Sequence, residues 1–458
     1  MNVSSIPAPA APHDATLPAP VERVLDNGLR VIAFSQRNLP LIAAQLVVRG
    51  GSAAEHEDEA GLSALVAVLL TQGTTARSAT ELAAATDALG ARLDAGSGFD
   101  ASLLSVSATT PAFPYAFALL DEVLRRPAFA PREVDRVRTK SISDLALTYA
   151  NPGALARLVA QRVAYGGSPY GHPVAGTVTT LPALGRDRVA WFHERFYRPD
   201  DAVLVIGGDL EVDDAFALAD RELGAWRAPD TPLDAPLDAA IPPPRTQVVI
   251  VDKPDAGRTA LIVGRVSIAR RSPDYYAATV AAAVLHGYSG RINQEIRVKR
   301  GLSYGAGASV SVRRMPGLFT ASTLIDHTRA VEATEVTLTV IRSLVDAPAT
   351  DEDLVSRKAT VTGSFHRSIE TIDGITGSIA EHALYDVPLA ELAGYTRRVQ
   401  AVDAVAVRDF AALGLVPDDF VVLVGDASKF ASEIARAHAN VRVIAAGELD
   451  LGSPTLGG

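Results

Sequence analysis

The sequence predicts an α+β protein of two similar halves, each a mostly antiparallel β-sheet packed with α-helices. Length is the first observation behind this: 458 residues exceed what one hydrophobic core ordinarily serves, and 48% apolar with 21% charged residues is the balance of a folded chain. A repeat is the second. Pro199-Asp200-Asp201 turns into the apolar run Ala202 to Gly207, and Pro417-Asp418-Asp419 turns into Phe420 to Gly425, each after a helix containing a phenylalanine. A period of about half the chain suits a duplicated domain and is far too long for a solenoid. Third, strands that read by alternation are interleaved with helices that read by their capping signals.

The first half opens with Val21 to Phe34, where two alternating runs flank Asp26-Asn27-Gly28. Asn-Gly tolerates positive φ at both positions, so a β-hairpin is expected. Leu41 to Val48 reads as a third strand, leading through Gly50-Gly51 and an acidic loop into a helix, Gly61 to Leu70, that is apolar on every side. Ser78-Ala79-Thr80-Glu81 has the form of a capping box and Gly90 that of a stop, which predicts a helix over 79–89. Strands follow near Arg92 to Ala95 and Ala101 to Ala108, then helices over 113–126 and 131–149, the latter with Pro131 in the first turn, where proline is tolerated. A helix over 187–196 leads into the first copy of the repeat. A weaker echo pairs Leu119 to Leu145 with Val340 to Ser364: a helix, a proline-containing turn and a second, charged helix.

These signals divide the chain into a flexible lead rich in Ala and Pro (1–20), an N-terminal domain (21–226), a linker (227–245), a C-terminal domain (246–448) and a tail (449–458). The linker is stiff and exposed by composition, with six prolines between Arg227 and Arg245. A net charge of -10 without any Lys/Arg cluster argues against a nucleic-acid partner and favours basic or neutral peptides. No cysteine is present, so thiolate metal sites, cysteine nucleophiles and disulfides are excluded together. The lead has neither the basic start nor the apolar core of a signal peptide, and the longest apolar run, Leu62 to Leu70, is too short to span a membrane. The expected location is periplasmic if the Met-started lead replaces a removed signal peptide, and cytoplasmic otherwise.

The most informative stretch is His286-Gly287-Tyr288-Ser289-Gly290-Arg291-Ile292-Asn293-Gln294-Glu295-Ile296-Arg297-Val298-Lys299-Arg300-Gly301-Leu302-Ser303-Tyr304-Gly305. A glycine-rich turn leads into a short helix, which stops at Gly301 and feeds a small-residue strand, Tyr304 to Val312. This resembles the second half of the pitrilysin-type (inverzincin) metallopeptidases, the family of insulin-degrading enzyme and mitochondrial processing peptidase, and especially its bacterial half-size branch. The resemblance covers the chain from Val21 onward. In that family an arginine and a tyrosine seven positions apart point into the substrate chamber, and the resemblance carries them to Arg297 and Tyr304. Their chemistry suits such a role. A planar guanidinium grips a peptide carbonyl or carboxylate, and a rigidly placed phenol donates to the oxyanion formed when water attacks a peptide bond.

The family's other half-site is a His-x-x-Glu-His helix in the first domain, two imidazoles for zinc and a glutamate as general base. Here the matching frame, Gly61 to Thr74, places Ala64, Ala67 and Val68 at those positions, and the third ligand falls at or next to Asp144. Hydrocarbon side chains bind no metal, and a lone carboxylate cannot hold zinc. The resemblance therefore implies a subunit without zinc, inactive alone. It would be half of a clamshell heterodimer whose homologous partner binds zinc, acting on peptide or unfolded-protein substrates. Two other readings stand beside it: a scaffold or assembly subunit, and a stand-alone chamber that binds peptides by strand addition. A substitute metal site is not evident. His56 sits in the run Glu55 to Glu59, which reads as a solvated acidic surface; His193-Glu194 and Glu381-His382 lack a second histidine at helical spacing; His172 lies in a turn. A serine-hydrolase elbow and a phosphate loop are also missing.

Overall fold

The computed structural model describes residues 13–232, 247–415 and 419–457. Residues 1–12 of the lead, 233–245 of the proline-rich linker and 416–418 of the second repeat copy lie outside them. The first half contains strands β1 (Val21–Val24), β2 (Arg30–Ser35), β3 (Leu41–Val48), β4 (Arg92–Ser97), β5 (Ser102–Thr109) and β6 (Ala202–Gly208). Its helices are α1 (Leu62–Leu70), α2 (Ala79–Ala88), α3 (Phe113–Arg125), α4 (Pro131–Ala150), α5 (Pro152–Tyr165), α6 (Arg186–Phe196) and α7 (Val212–Leu223). The second half repeats the plan with β7 (Gln247–Asp252), β8 (Thr259–Val266), β9 (Ala306–Val310), β10 (Leu318–Ile325), β11 (Phe420–Gly425) and β12 (Val441–Ala445). Its helices are α8 (Tyr275–Leu285), α9 (Arg291–Asn293, continued as a π-helix over Gln294–Lys299), α10 (Ala330–Asp346), α11 (Asp351–Ser368), α12 (Ile372–Leu384), α13 (Ala390–Ala393), α14 (Tyr395–Ala401), α15 (Ala404–Gly414) and α16 (Ala431–Ala437).

Each half carries a six-stranded, mostly antiparallel sheet, in the orders β1-β2-β6-β3-β5-β4 and β12-β7-β11-β8-β10-β9. The duplication is visible strand by strand. The repeated segments, β6 and β11, take the same inner place, each parallel to the first long strand of its half and antiparallel to the second. Both are buried along their whole length, as unbroken aliphatic runs require when helices cover both faces. Local signals hold where they are strong. Gly28 has φ +88° in the first hairpin, and the Ser78–Glu81 capping box is formed in both directions. The expected strand Tyr304 to Val312 is shorter, Ala306–Val310, because Ser303 to Gly305 form a turn in which the Ser303 hydroxyl donates to the Gly305 carbonyl and accepts from its N–H.

Each sheet has one face covered by helices of its own half. The other face is covered by a helix of the opposite half. Leu155, Val159 and Tyr165 of α5 bury against Val249, Ile262 and Phe420 of the second sheet, while Ile375, Ile379 and Ala383 of α12 bury against Phe34, Val47 and Val205 of the first. Residues near the chain ends join these layers. Ala15 and Leu17 rest on the α12 layer, and Leu451 and Leu456 are buried in the α5 layer, where the Leu451 carbonyl accepts two bonds from the buried Arg162. Asp100 ties the halves beside them, accepting from the Tyr170 hydroxyl and, at 3.1 Å, from the Arg314 N–H, while the Arg313 guanidinium stacks 3.7 Å from the Phe99 ring centroid.

Removing three carbons from the exchanged layer leaves a cavity between the halves. Ile379→Ala is expected to lower stability by about 2–5 kcal/mol, read as an earlier midpoint in urea; an unchanged midpoint would show that the layer adds little. Two buried histidines add a pH dependence. Burial holds His193 near pKa about 4, and burial together with the Arg270 charge does the same to His382, against an ordinary value of 6.5. The unfolded chain therefore binds more protons between those values, so stability is complete above about pH 6.5 and falls towards pH 4, by roughly 3 kcal/mol at most for each group. A His382→Gln variant should show a shallower loss over that window in equilibrium unfolding.

Candidate functional site

The segment from His286 to Gly305 joins α8 to β9, and polar side chains fix its shape from within. Asn293, buried at 3% exposure, donates to the Tyr288 carbonyl at 2.8 Å and accepts from the Ala306 N–H at 3.3 Å, so one amide clamps the start of the turn to the start of the strand. Gln294 adds a second bond to the Tyr288 carbonyl at 3.0 Å. The helix ends where Gly301 takes φ +62°, in the left-handed region that favours glycine.

Four cations lie on this helix, and three are engaged. Arg291 donates to the Ser343 and Ala347 carbonyls at the end of α10; Lys299 and Arg300 both pair with Glu295. Arg297 is exposed and makes no hydrogen bond or ion pair among the described residues; its guanidinium stands 5.4 Å from the Tyr288 ring centroid. Tyr304 is 79% exposed, with the Arg258 guanidinium 4.7 Å from its ring centroid. It borders a cavity of about 790 Å³ that Arg297 does not line.

Helix α1, which the resemblance sets against a zinc helix, has a different character. Seven of the nine residues of α1 are buried; Ala67 is fully enclosed, Ala64 half-buried, and Val68 is 43% exposed. Asp144 lies on α4, paired with Lys140 at 2.5 Å. Zinc needs several nitrogen, oxygen or sulfur donors, and these positions offer hydrocarbon and one neutralised carboxylate, so the residues do not fit the metal. Among the described residues no group of three or more His, Cys, Asp or Glu side chains is placed to hold a metal ion.

The acidic run beside α1 is exposed at His56 and Asp58, as its composition suggests, but its other carboxylates are engaged. Glu55 is buried and caps α1, accepting from the Gly61 and Ser63 N–H groups at 3.0 and 2.6 Å, with the His172 ring 3.4 Å away. Glu57 pairs with buried Arg162, and Glu59 with Arg188. Consecutive carboxylates find separate partners because short helical turns, Ser52–Ala54 and Glu57–Glu59, rotate them apart. Asn293 likewise escaped sequence reasoning. Its signal, a short polar residue inside a helix next to glycines, is ordinary until the strand folds back on it.

Known proteins share the sequence pattern and fold of this chain. The profile of the insulinase (peptidase family M16) matches residues 30–178, and that of the peptidase M16 inactive domain matches residues 183–361. An uncharacterized zinc protease of Mycobacterium leprae is 23% identical over 393 residues, 85% of this chain and 87% of that protein. One of Rickettsia felis is 24% identical over 306 residues, 66% and 73% of the two chains. A crystal structure of a peptidase M16 inactive domain from Pseudomonas fluorescens superposes with a TM-score of 0.82 at 23% identity, covering 89% of this chain and 98% of that one. A protease from Helicobacter pylori does so with 0.83 at 17%, covering 90% and 100%.

Truncating the clamp leaves the Ala306 N–H without its Asn293 acceptor and the Tyr288 carbonyl with Gln294 alone. Asn293→Ala is expected to cost about 1–3 kcal/mol and to speed amide hydrogen exchange at Ala306 selectively. Unchanged exchange there would remove Asn293 from the positioning of the segment.

Proposed function

Because the chain belongs to the peptidase M16 (insulinase) family, we propose that it is the metal-free subunit of a two-chain zinc peptidase, lending Arg297 and Tyr304 to a homologous zinc-bearing partner. One observation carries the reading. On a helix where every other cation is engaged, Arg297 is left exposed, and Tyr304, past the helix end, is exposed too; neither makes an intramolecular hydrogen bond among the described residues, and both stand on a segment stiffened from inside. Holding a long cation and a phenol in water on a rigid support gains nothing for this chain's own stability, whereas it preorganises donors for a ligand.

A zinc ion held by the partner would supply the activated water. Within this chain, Arg297 donates to a carbonyl or carboxylate of the extended substrate and fixes its register. Tyr304 donates its hydroxyl proton in a hydrogen bond to the oxygen that becomes an oxyanion as water adds to the scissile carbonyl. The apolar α1 takes no part in chemistry and serves as core.

The test is reconstitution with the zinc-bearing partner and a peptide-cleavage assay. Tyr304→Phe is expected to lower kcat about a hundredfold, in line with loss of one oxyanion donor, and Arg297→Ala to act mainly through KM. Full activity of a complex carrying both substitutions would overturn the catalytic role and favour the scaffold reading.

A further inference from the structure

The cavity of about 790 Å³ beside Tyr304 lies between the halves. Its floor is the face of the second sheet that α5 covers, where Ser309 and Ser322 of β9 and β10 leave room; its rim includes Arg157 of α5, Arg258, His286 and Tyr304. Gly307 lets the exposed His286 ring lie against the strand, since a Cβ there would meet its Nδ1 at 2.6 Å and push the ring aside. Three features of the lining point the same way.

The first is charge. The chain carries a net -10, yet none of the residues lining the cavity is an aspartate or glutamate, while two are arginines. The second is availability. Arg157 and Arg258 are both exposed, and among the described residues neither makes a hydrogen bond or an ion pair; Arg258 stacks on Tyr304. The carboxyl of Asp326, which feels the Arg258 charge, is committed to the Thr328 N–H and hydroxyl at 2.9 and 2.7 Å. The third is the edge of the sheet. β9 pairs with β10 on one side only, and Ser311 and Leu318 exchange both N–H···O bonds just beyond it. By antiparallel alternation the main chains of Ala308 and Val310 then point their N–H and C=O groups outward.

We propose that this cavity is a subsite for an acidic extended peptide, whose main chain adds to β9 and whose internal Glu or Asp side chains reach Arg157 and Arg258. An added strand presents alternate side chains to one face of the sheet, so a carboxylate at every second position meets the cationic rim. The composition of the whole chain favours basic or neutral peptides; the local field in this cavity is the opposite, and a cleft lined by one sign of charge dominates what enters it. The inference deepens the reading above by giving its substrate a chemical class and shares Tyr304 with it. Because Arg157 comes from the first half and β9 from the second, the subsite exists only in the assembled chain.

Calorimetric titration of the full chain alone tests it, without zinc or partner, so failure here is separate from failure of the catalytic role. The probes are a short acetylated and amidated peptide with Glu alternating with Thr, its Gln counterpart, and the Gln peptide with a free terminal carboxylate. The Glu peptide is expected to bind about tenfold more tightly than the amidated Gln peptide, with most of that preference lost in Arg258→Gln and in Arg157→Gln. Both arginines are exposed, so the variants should keep their melting temperature. Equal binding of the Glu and Gln peptides, no binding of either, preference only for the free terminal carboxylate, or preference retained by the double variant would each overturn the proposal.

Discussion

The exchange of α5 and α12 is the constraint from which the rest of the molecule follows. A six-stranded sheet whose central strands are aliphatic on both faces must cover both, and each half brings helices of its own for one face only. The remaining face is closed by the partner half, at α5 over Ile262 and Phe420 and at α12 over Phe34 and Val205. Neither half can reach its full burial alone, which makes their relative position a matter of close packing and takes it out of the hands of the linker. The aromatic and ionic contacts around Asp100 and Arg313 then fix the seam at one end.

That same exchange opens the cavity beside Tyr304, whereas the motif itself is shaped locally. The segment from His286 to Gly305 is held by its own Asn293 and by the bonds of Arg291 to the end of α10, so Arg297 and Tyr304 stand on a support shaped by the chain's own hydrogen bonds. The cavity beside them is a product of the seam, with a floor from one half and part of its rim from the other. Support and cavity thus have different origins, one local and one from the pairing of halves.

Helix α1 carries no metal donor at Ala64, Ala67 or Val68, and packing accounts for its place in the fold. The chain retains it because its packing role is independent of chemistry: Leu62, Leu65, Val66, Leu69 and Leu70 fill the first core, and Glu55 caps its N-terminus from inside. Hydrocarbon side chains at Ala64, Ala67 and Val68 leave no buried or half-buried polar group there to satisfy. Only Val68, 43% exposed, still faces outward.

Much of this was written in the sequence. Asn27-Gly28, the Ser78–Glu81 box, Pro131 and the doubled Pro-Asp-Asp segment marked elements correctly because each rests on a backbone constraint that a few adjacent residues decide. The absence of metal donors at Ala64, Ala67 and Val68 was equally plain, since side-chain chemistry needs no coordinates. Other features depended on contacts far apart in the chain. The acidic run from Glu55 to Glu59 looks solvated until Arg162, Arg188 and the α1 N-terminus arrive to meet it. Asn293 looks ordinary until Ala306 folds back onto it, and Arg297 is one cation of four until Glu295, Ser343 and Ala347 engage the others. The sequence by itself determined the two-halved α+β plan and the hydrocarbon character of positions 64, 67 and 68, both local or compositional properties. Tertiary structure decided which sheet each of α5 and α12 covers, which charges remain unpaired, and where a cationic cavity opens in an acidic protein, because burial and pairing are properties of neighbours that only folding supplies.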